Sequence, residues 1–298
     1  MSKKFGCLLY VALSVTLASN AYAEQQGEQE VIEGVSETGP VKAAKESTDF
    51  SRYLDGDTLL GGKFTTWLEL ASDYVFRGTS ETNDGKIPSI KGAITWTHPS
   101  GFYVGYYGAN NLFPGTDSAG NNPDINALWG PYIGYSTKDI AGTGINYNGM
   151  FFKYIYPGSR DNNYTEMFNY LDKQYGKLNL KFEYTPTITD WFGVKDLQSH
   201  NVAFLPSYLL PYGVTVSGGV GYQFFHNGGP RIDANNDGKQ DLNWWHWNIG
   251  VSRKMFGYTV DLRYHDTDIK KGEHDLYGSD LSYKTVNSRW VIAISKTF

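Results

Sequence analysis

The chain has 298 residues, of which 16% are aromatic (8 Trp, 23 Tyr, 16 Phe), 34 are Gly and only 19% are Asp, Glu, Lys or Arg, against about 25% charge in an ordinary soluble domain. A net charge of −5 with no compensating basic face excludes a nucleic-acid partner, and one Cys with six His excludes a cysteine-rich metal module or a disulfide framework. Beyond the N-terminus no apolar run reaches the roughly 18 residues that a membrane-spanning helix needs.

In chain order, residues 1–23 read as a secretory signal. Lys3 and Lys4 form its positive start, Phe5 to Ser19 its apolar stretch, and Ala21-Tyr22-Ala23 the small–x–small cleavage site. Cleavage after Ala23 removes Cys7, the single cysteine, so the mature chain is expected to fold outside the cytoplasm without thiol chemistry. Residues 24–62 hold nine acids against Lys42, Lys45 and Arg52, with only Phe50 and Tyr53 as aromatics. Such a composition buries too little apolar surface to offset the entropy of ordering, so a disordered acidic tail is expected. From Lys63 to Phe298 the charge is nearly neutral, 22 acids against 21 bases.

From Lys63 onward the hydrophobic pattern has period two. Phe64, Thr66, Leu68, Leu70, Tyr74 and Phe76 share one face, and Glu69, Asp73 and Arg77 the other. The same split recurs at residues 90–97, 178–184, 214–224 and 258–265. Strands are expected near 63–77, 88–97, 102–112, 125–136, 144–156, 164–174, 178–186, 201–209, 213–225, 243–253, 257–266 and 288–298. Those at 144–156, 164–174 and 201–209 alternate poorly, which leaves the number between 10 and 14.

The connections alternate between long (78–87, 113–124, 157–163, 187–200, 226–242, 267–287) and short (98–101, 137–143, 175–177, 210–212, 254–256). A β-sandwich has no reason to sort its loops in this way. A transmembrane antiparallel up-and-down β-barrel with both termini in the periplasm requires it, and strands of 9–13 residues, all but the longer first one, suit a tilted crossing of a ~30 Å core. The fold expected is therefore all-β, a barrel of about 12 strands. The last strand carries Trp290, Ile292, Ile294 and Phe298 on one face and ends at that Phe. Such an ending resembles the signal read by the outer-membrane barrel assembly machinery. Trp67, Trp96, Tyr106, Trp129, Trp245 and Trp247 are candidates for the interfacial girdles. Lys296 falls on the lipid face, where it must snorkel to the interface.

The run Ser72-Asp73-Tyr74-Val75-Phe76-Arg77-Gly78-Thr79-Ser80, followed by Asn83-Asp84 and Ser100-Gly101-Phe102-Tyr103, resembles the TorF-type porins, a family of bacterial outer-membrane proteins. Tyr156-Pro157-Gly158 and Tyr164-x-Glu166 are similar to that family as well. The resemblance spans residues 64–298 and leaves out the acidic tail. It implies a barrel in the outer membrane of a Gram-negative bacterium and a pore-like role, and it implies no binding residues.

Parity assigns Glu69, Asp73, Glu183 and Asp261, with Arg77, Lys91, Lys181, Arg263 and Arg289, to the lumen. Four acids against five bases make no strong single-sign field, so strong ion selectivity is not expected. Glu69, Asp73 and Arg77 follow one another on one wall of the first strand, either as a constriction or as a charge network satisfying itself. Asp233, Asn235, Asp237 and Asp241, with Gly238 in the turn, follow the first part of a calcium loop. Trp244 stands where an EF-hand has its closing Glu, so the alternative is an ion-free Asn/Asp/Gly loop. A turn at Met255-Phe256 would set His246 directly opposite His265 at the outer rim, as a transition-metal or acid/base pair. No Ser–His–acid arrangement and no phosphate-cradling loop is found. The function expected is a porin-like channel for small polar solutes in a lipid surround, with no required cofactor. An enzyme built on the histidine rim and a structural or adhesive barrel plugged by residues 24–62 are the alternatives.

Overall fold

The computed structural model describes residues 60–114, 124–226, 243–269 and 284–298. The signal sequence, the acidic tail and the 233–241 calcium motif lie outside the described residues. In chain order the strands are β1 (Lys63–Ala71), the short β2 (Val75–Phe76) and β3 (Thr79–Ser80), β4 (Ser89–Thr97), β5 (Phe102–Pro114), β6 (Asp124–Thr137), β7 (Ile145–Tyr154), β8 (Tyr164–Tyr175), β9 (Leu178–Pro186), β10 (Gln198–Leu209), β11 (Val214–His226), β12 (Trp244–Met255), β13 (Tyr258–Thr267) and β14 (Arg289–Thr297). All but β2 and β3 form one closed antiparallel barrel of twelve strands, each beside its neighbour in sequence. β1 and β14 close it, from Trp67↔Thr297 to Ala71↔Ala293. Beyond the ladder, Phe298 N–H donates to Thr66 O (2.8 Å) and Thr66 N–H to Phe298 O (3.2 Å). Closure leaves no strand edge unpaired, the condition for a sheet in hydrocarbon.

The alternation acts as expected on the outside. Leu68, Leu70, Ile90, Ile94, Phe182, Ile249, Trp290 and Ile292 all point outward and stand exposed. A wall of such residues all around a protein is a lipid-facing surface. Tyr106, Trp129, Trp245 and Trp247 belong to it, as the girdle assignment expected. Lys296 holds its ammonium over the rings of Tyr258 (5.1 Å) and Phe298 (4.7 Å), a cation–π seat for a charge on that wall.

The connections sort into two ends. Two-residue turns join β8 to β9 and β12 to β13. The second, Phe256-Gly257, has both residues at positive φ (54° and 79°), the mirror-image turn whose twist matches the strands it joins. At the other end lie the long connections, and there the interior is packed. Phe152, Phe168, Tyr154, Tyr164, Trp191, Phe225 and Trp244 are all fully buried inside the barrel. Their rings meet edge-on or stacked, for example Tyr154–Tyr164 at 4.3 Å and Trp191–Phe225 at 4.7 Å. On β6, Gly130 makes room for this filling: a Cβ there would strike the Phe152 ring.

Three expectations are corrected. The first strand ends at Ala71, six residues before the predicted limit. Tyr74 and Phe76, placed on the lipid face, are buried inside. Trp67, a girdle candidate, is also interior, because it shares parity with Glu69. The first two share a cause: the chain leaves the barrel wall after Ala71 and turns into the lumen.

Candidate functional site

Residues 72–88 form an inward hairpin whose geometry starts from Asp73. Its Oδ1 accepts Tyr74 N–H (2.7 Å), Ser80 Oγ–H (2.7 Å) and Thr82 Oγ1–H (2.5 Å). Its Oδ2 faces Arg289 Nη1 at 2.7 Å, which ties the root of the hairpin to β14. Arg289 Nη1 also reaches Asp84 Oδ1 at 3.2 Å. Glu81 N–H to Tyr74 O (2.6 Å) extends the β2–β3 pairing, and Leu112 N–H to Glu81 O (2.8 Å) fastens the outgoing arm to β5.

The tip of the hairpin is Arg77-Gly78, with both φ positive (45° and 82°). Arg at such a φ is costly unless its surroundings hold it there. They do so on three sides. Arg77 Nη1 meets Glu166 Oε1 at 3.0 Å and Nη2 meets Glu166 Oε2 at 3.3 Å. Glu183 Oε1 lies 3.8 Å from Nη2. Trp244 Nε1–H donates to Arg77 O (3.0 Å). Gly78 sits so close to β13 that a Cβ would strike Thr267 Cγ2.

The receiving carboxylates are themselves held. Tyr154 O–H donates to Glu166 Oε2 (2.9 Å). Thr185 Oγ1–H and Asn201 Nδ2–H donate to Glu183 Oε1, each at 2.9 Å. With its amide nitrogen so engaged, Asn201 offers Oδ1 to His246 Nε2 (2.8 Å), which makes that nitrogen the donor. β8 and β9 stand across the barrel from β1 in the strand order, so the hairpin spans the lumen from wall to wall. Arg77 does not lie on the first strand's wall as expected; it reaches the opposite one.

Of the nine predicted lumen charges, Asp73, Arg77, Lys91 and Glu183 are buried and Glu69, Lys181, Asp261, Arg263 and Arg289 half-buried. Lys91 pairs with Glu69 (2.5 Å) on the neighbouring strand, and Arg263 with Asp261 (2.9 Å) two residues along β13. Arg263 also donates to Asn248 Oδ1 (2.7 Å) and Ser217 Oγ (2.8 Å). Lys181 is half-buried on β9. Sequence reasoning missed Glu81 on the hairpin as an interior acid, and on β8 Glu166 and Asp172; with all three the interior acids outnumber the bases. The signal of the two on β8 was parity, masked because Phe168 and Tyr170 share the inward face.

The opposed histidine rim is corrected. The turn falls one residue later than expected, so His246 pairs with Thr267 and His265 with Asn248. Both imidazoles still face inward, but two places apart along the sheet. His246 is committed to Asn201, and His265 sits in the field of Arg263, Lys91 and Arg289, which repels a metal cation. Among the described residues no group of three His, Cys, Asp or Glu is placed to hold a metal.

The interior thus has two halves. Toward the long loops, residues 187–197 pack against Tyr156, Tyr164 and Phe225, with Trp191, Phe192, Val194 and Leu197 buried. Toward the short turns the wall is polar and half-buried, carrying Asn146, Asn148, Asp172, Asn179, Lys181, Ser217, Asn248, Asp261 and Arg263. It forms a vestibule below a closed waist.

Residues 60–298 match the family model described as "Bacterial protein of unknown function (Gcw_chp)". A comparison with curated proteins finds no match. Among solved structures the barrel is similar to a KdgM porin (TM-score 0.47, 8% identity, covering 79% of this chain and 99% of that one). It is also similar to an outer membrane channel from Pseudomonas putida F1 (0.47, 9%, 82% and 98%) and to a NanC porin (0.45, 9%, 78% and 98%).

Proposed function

The chain belongs to the Gcw_chp family of bacterial proteins, and we propose that it is an outer-membrane channel for small polar solutes, closed in this state by its own first loop. The observation that carries this reading is the ion-paired hairpin tip seated across a polar lumen. A barrel kept shut for stability alone has a better solution, since a buried ion pair is commonly no more stable than well-packed apolar residues of the same volume. Charges make sense in a seal that must sometimes come apart. Withdrawn, Arg77 and Glu166 would both face water, at little cost to either. The resemblance to the TorF-type porins is concentrated in Ser72–Ser80, the residues of the hairpin itself, and supports a role for that segment in passage.

Neutral balance in the vestibule favours polar solutes over a single ion sign. The N-terminal signal, the handover of Phe298 to the assembly machinery and a calcium ion held by Asp233, Asn235, Asp237 and Asp241 complete the proposal from the sequence side. The dense aromatic packing around Trp191 and Phe192 favours one competing reading, a permanently plugged structural barrel. Planar-bilayer recording separates the two. Discrete openings in wild-type protein are expected; a folded barrel that passes no current, either as wild type or as Arg77→Ala, overturns the channel reading.

A further inference from the structure

Among the described residues the interior cations stand in ion pairs, with one exception. Lys91, Arg77, Arg263 and Arg289 each stand in an ion pair with an acid. Lys181 does not. It is the cross-strand partner of Asp172 in the β8–β9 ladder, and both side chains point into the vestibule. Opposed residues of this kind have Cβ atoms about 5 Å apart, within easy reach of an ion pair, yet the two side chains diverge.

Asp172 Oδ2 is occupied by Asn146 Nδ2–H (3.0 Å) from β7 and Asn179 Nδ2–H (3.3 Å) from β9, which draw the carboxylate toward the turn end. The Lys181 ammonium lies the other way, 5.7 Å from the centre of the Tyr170 ring, on the side of Glu183. Glu183 is already engaged by Thr185 and Asn201. Among the described residues, then, the ammonium of Lys181 has no hydrogen-bond acceptor and Oδ1 of Asp172 has no donor. Neither atom is sealed off from solvent, so both are free to take a solute's charges in place of water.

We propose that Lys181 and Asp172 form a docking site for a small zwitterion of the α-amino-acid type, its carboxylate on the Lys181 ammonium and its ammonium on Asp172 Oδ1. The inference rests on the channel reading for its purpose, since it names the solute class that the vestibule presents to the closed waist. An isolated anion would gain Lys181 but meet Asp172 and Glu183; an isolated cation would meet the reverse. A molecule carrying both charges one carbon apart satisfies both groups and leaves the local charge balance unchanged. The two amides on Asp172 act as positioning groups, holding the carboxylate away from its cross-strand lysine so that the gap stays open.

The site lies on the turn side of the closed hairpin, so it is open to solute whether or not the hairpin moves. The test is therefore ligand-observed saturation-transfer NMR on the full-length folded barrel in detergent. The probes are glycine, and acetate and methylammonium as its two halves. Glycine should bind, with each half at least about tenfold weaker, the loss of one charge-assisted contact. Lys181→Met and Asp172→Asn should each weaken glycine about tenfold, and Asp172→Asn should leave acetate no weaker than before. Heat-modifiable migration on gels checks that both variants are folded. Absence of glycine binding to folded wild type, glycine binding in either variant as tight as in wild type, or acetate binding as tight as glycine overturns the site. Potassium chloride conductance of the same preparation is read separately. Current without glycine binding overturns the site and leaves the channel standing, whereas glycine binding without current supports the site and removes the channel.

Discussion

Arg77 and Glu166 lie 89 residues apart in the chain and on opposite sides of the barrel, yet they meet in a two-pronged ion pair of 3.0 and 3.3 Å. Both side chains are almost completely withdrawn from solvent. One contact thus joins the first loop to the far wall, and the state of the lumen depends on it.

Arg77→Ala should open the channel. The substitution leaves Glu166 buried with only Tyr154 as a donor, and breaking one side of a buried pair costs about 3–5 kcal/mol. Withdrawal of the hairpin, or entry of water, relieves that cost. The fraction of time open in single-channel records should rise by at least tenfold. Arg77→Lys should fall between the two, because an ammonium cannot reproduce the two-pronged geometry. An Arg77→Ala record indistinguishable from wild type would remove the latch.

Trp244→Phe separates the backbone anchor from the charge. The ring that packs on Phe225 (5.8 Å) is kept in part, but the N–H donated to Arg77 O is lost. A single neutral hydrogen bond contributes about 1 kcal/mol. Open time should therefore rise a few-fold, well short of Arg77→Ala, and the comparison of the two records is the check.

Gly78→Val should keep the hairpin from seating at all. The residue sits at φ 82°, and a Cβ would strike Thr267 Cγ2 and approach Asp266 O at 3.0 Å. Limited proteolysis of the folded barrel should then cut within residues 72–88, where wild type resists. Adding Thr267→Ala relieves the side-chain clash but not the backbone strain, so protection should return only in part.

Gly257→Ala tests the opposite end. At φ 79° no atom lies within 4 Å of the missing Cβ, so the penalty is conformational alone, about 1 kcal/mol. Urea unfolding in lipid vesicles should shift to lower denaturant while conductance is unchanged. A changed conductance would mean that the turn end takes part in gating.

The strands were most readable where the two faces of the wall have different solvents. β1, β9, β11 and β13 alternate because lipid lies on one side and polar lumen on the other. Of the three strands that alternate poorly, β7 and β8 carry Phe152, Tyr154, Phe168 and Tyr170 on the inward face, whereas β10 has no such filling. Both faces of β7 and β8 are apolar for different reasons, and the period-two signal vanishes. The histidine pairing failed on one turn residue, since a turn displaced by a single position moves every cross-strand partner by two. The inward hairpin had one local sign, Gly78, a residue at home in the second position of a mirror-image turn, behind an Arg that is not. Its polar flanks continue the strand's parity, so the pattern by itself does not interrupt the strand.

By itself, the sequence determined the barrel, a strand number near twelve, and the segregation of long and short connections. Each of these follows from local composition repeated with period two. Only the tertiary structure decided which charges meet: that Arg77 crosses to Glu166, that Arg289 holds Asp73, and that Lys181 makes no ion pair with its cross-strand Asp172. Parity assigns a face, but partnership across a lumen depends on closure of the sheet and on a chain that leaves the wall, and neither is written in the spacing of neighbouring residues.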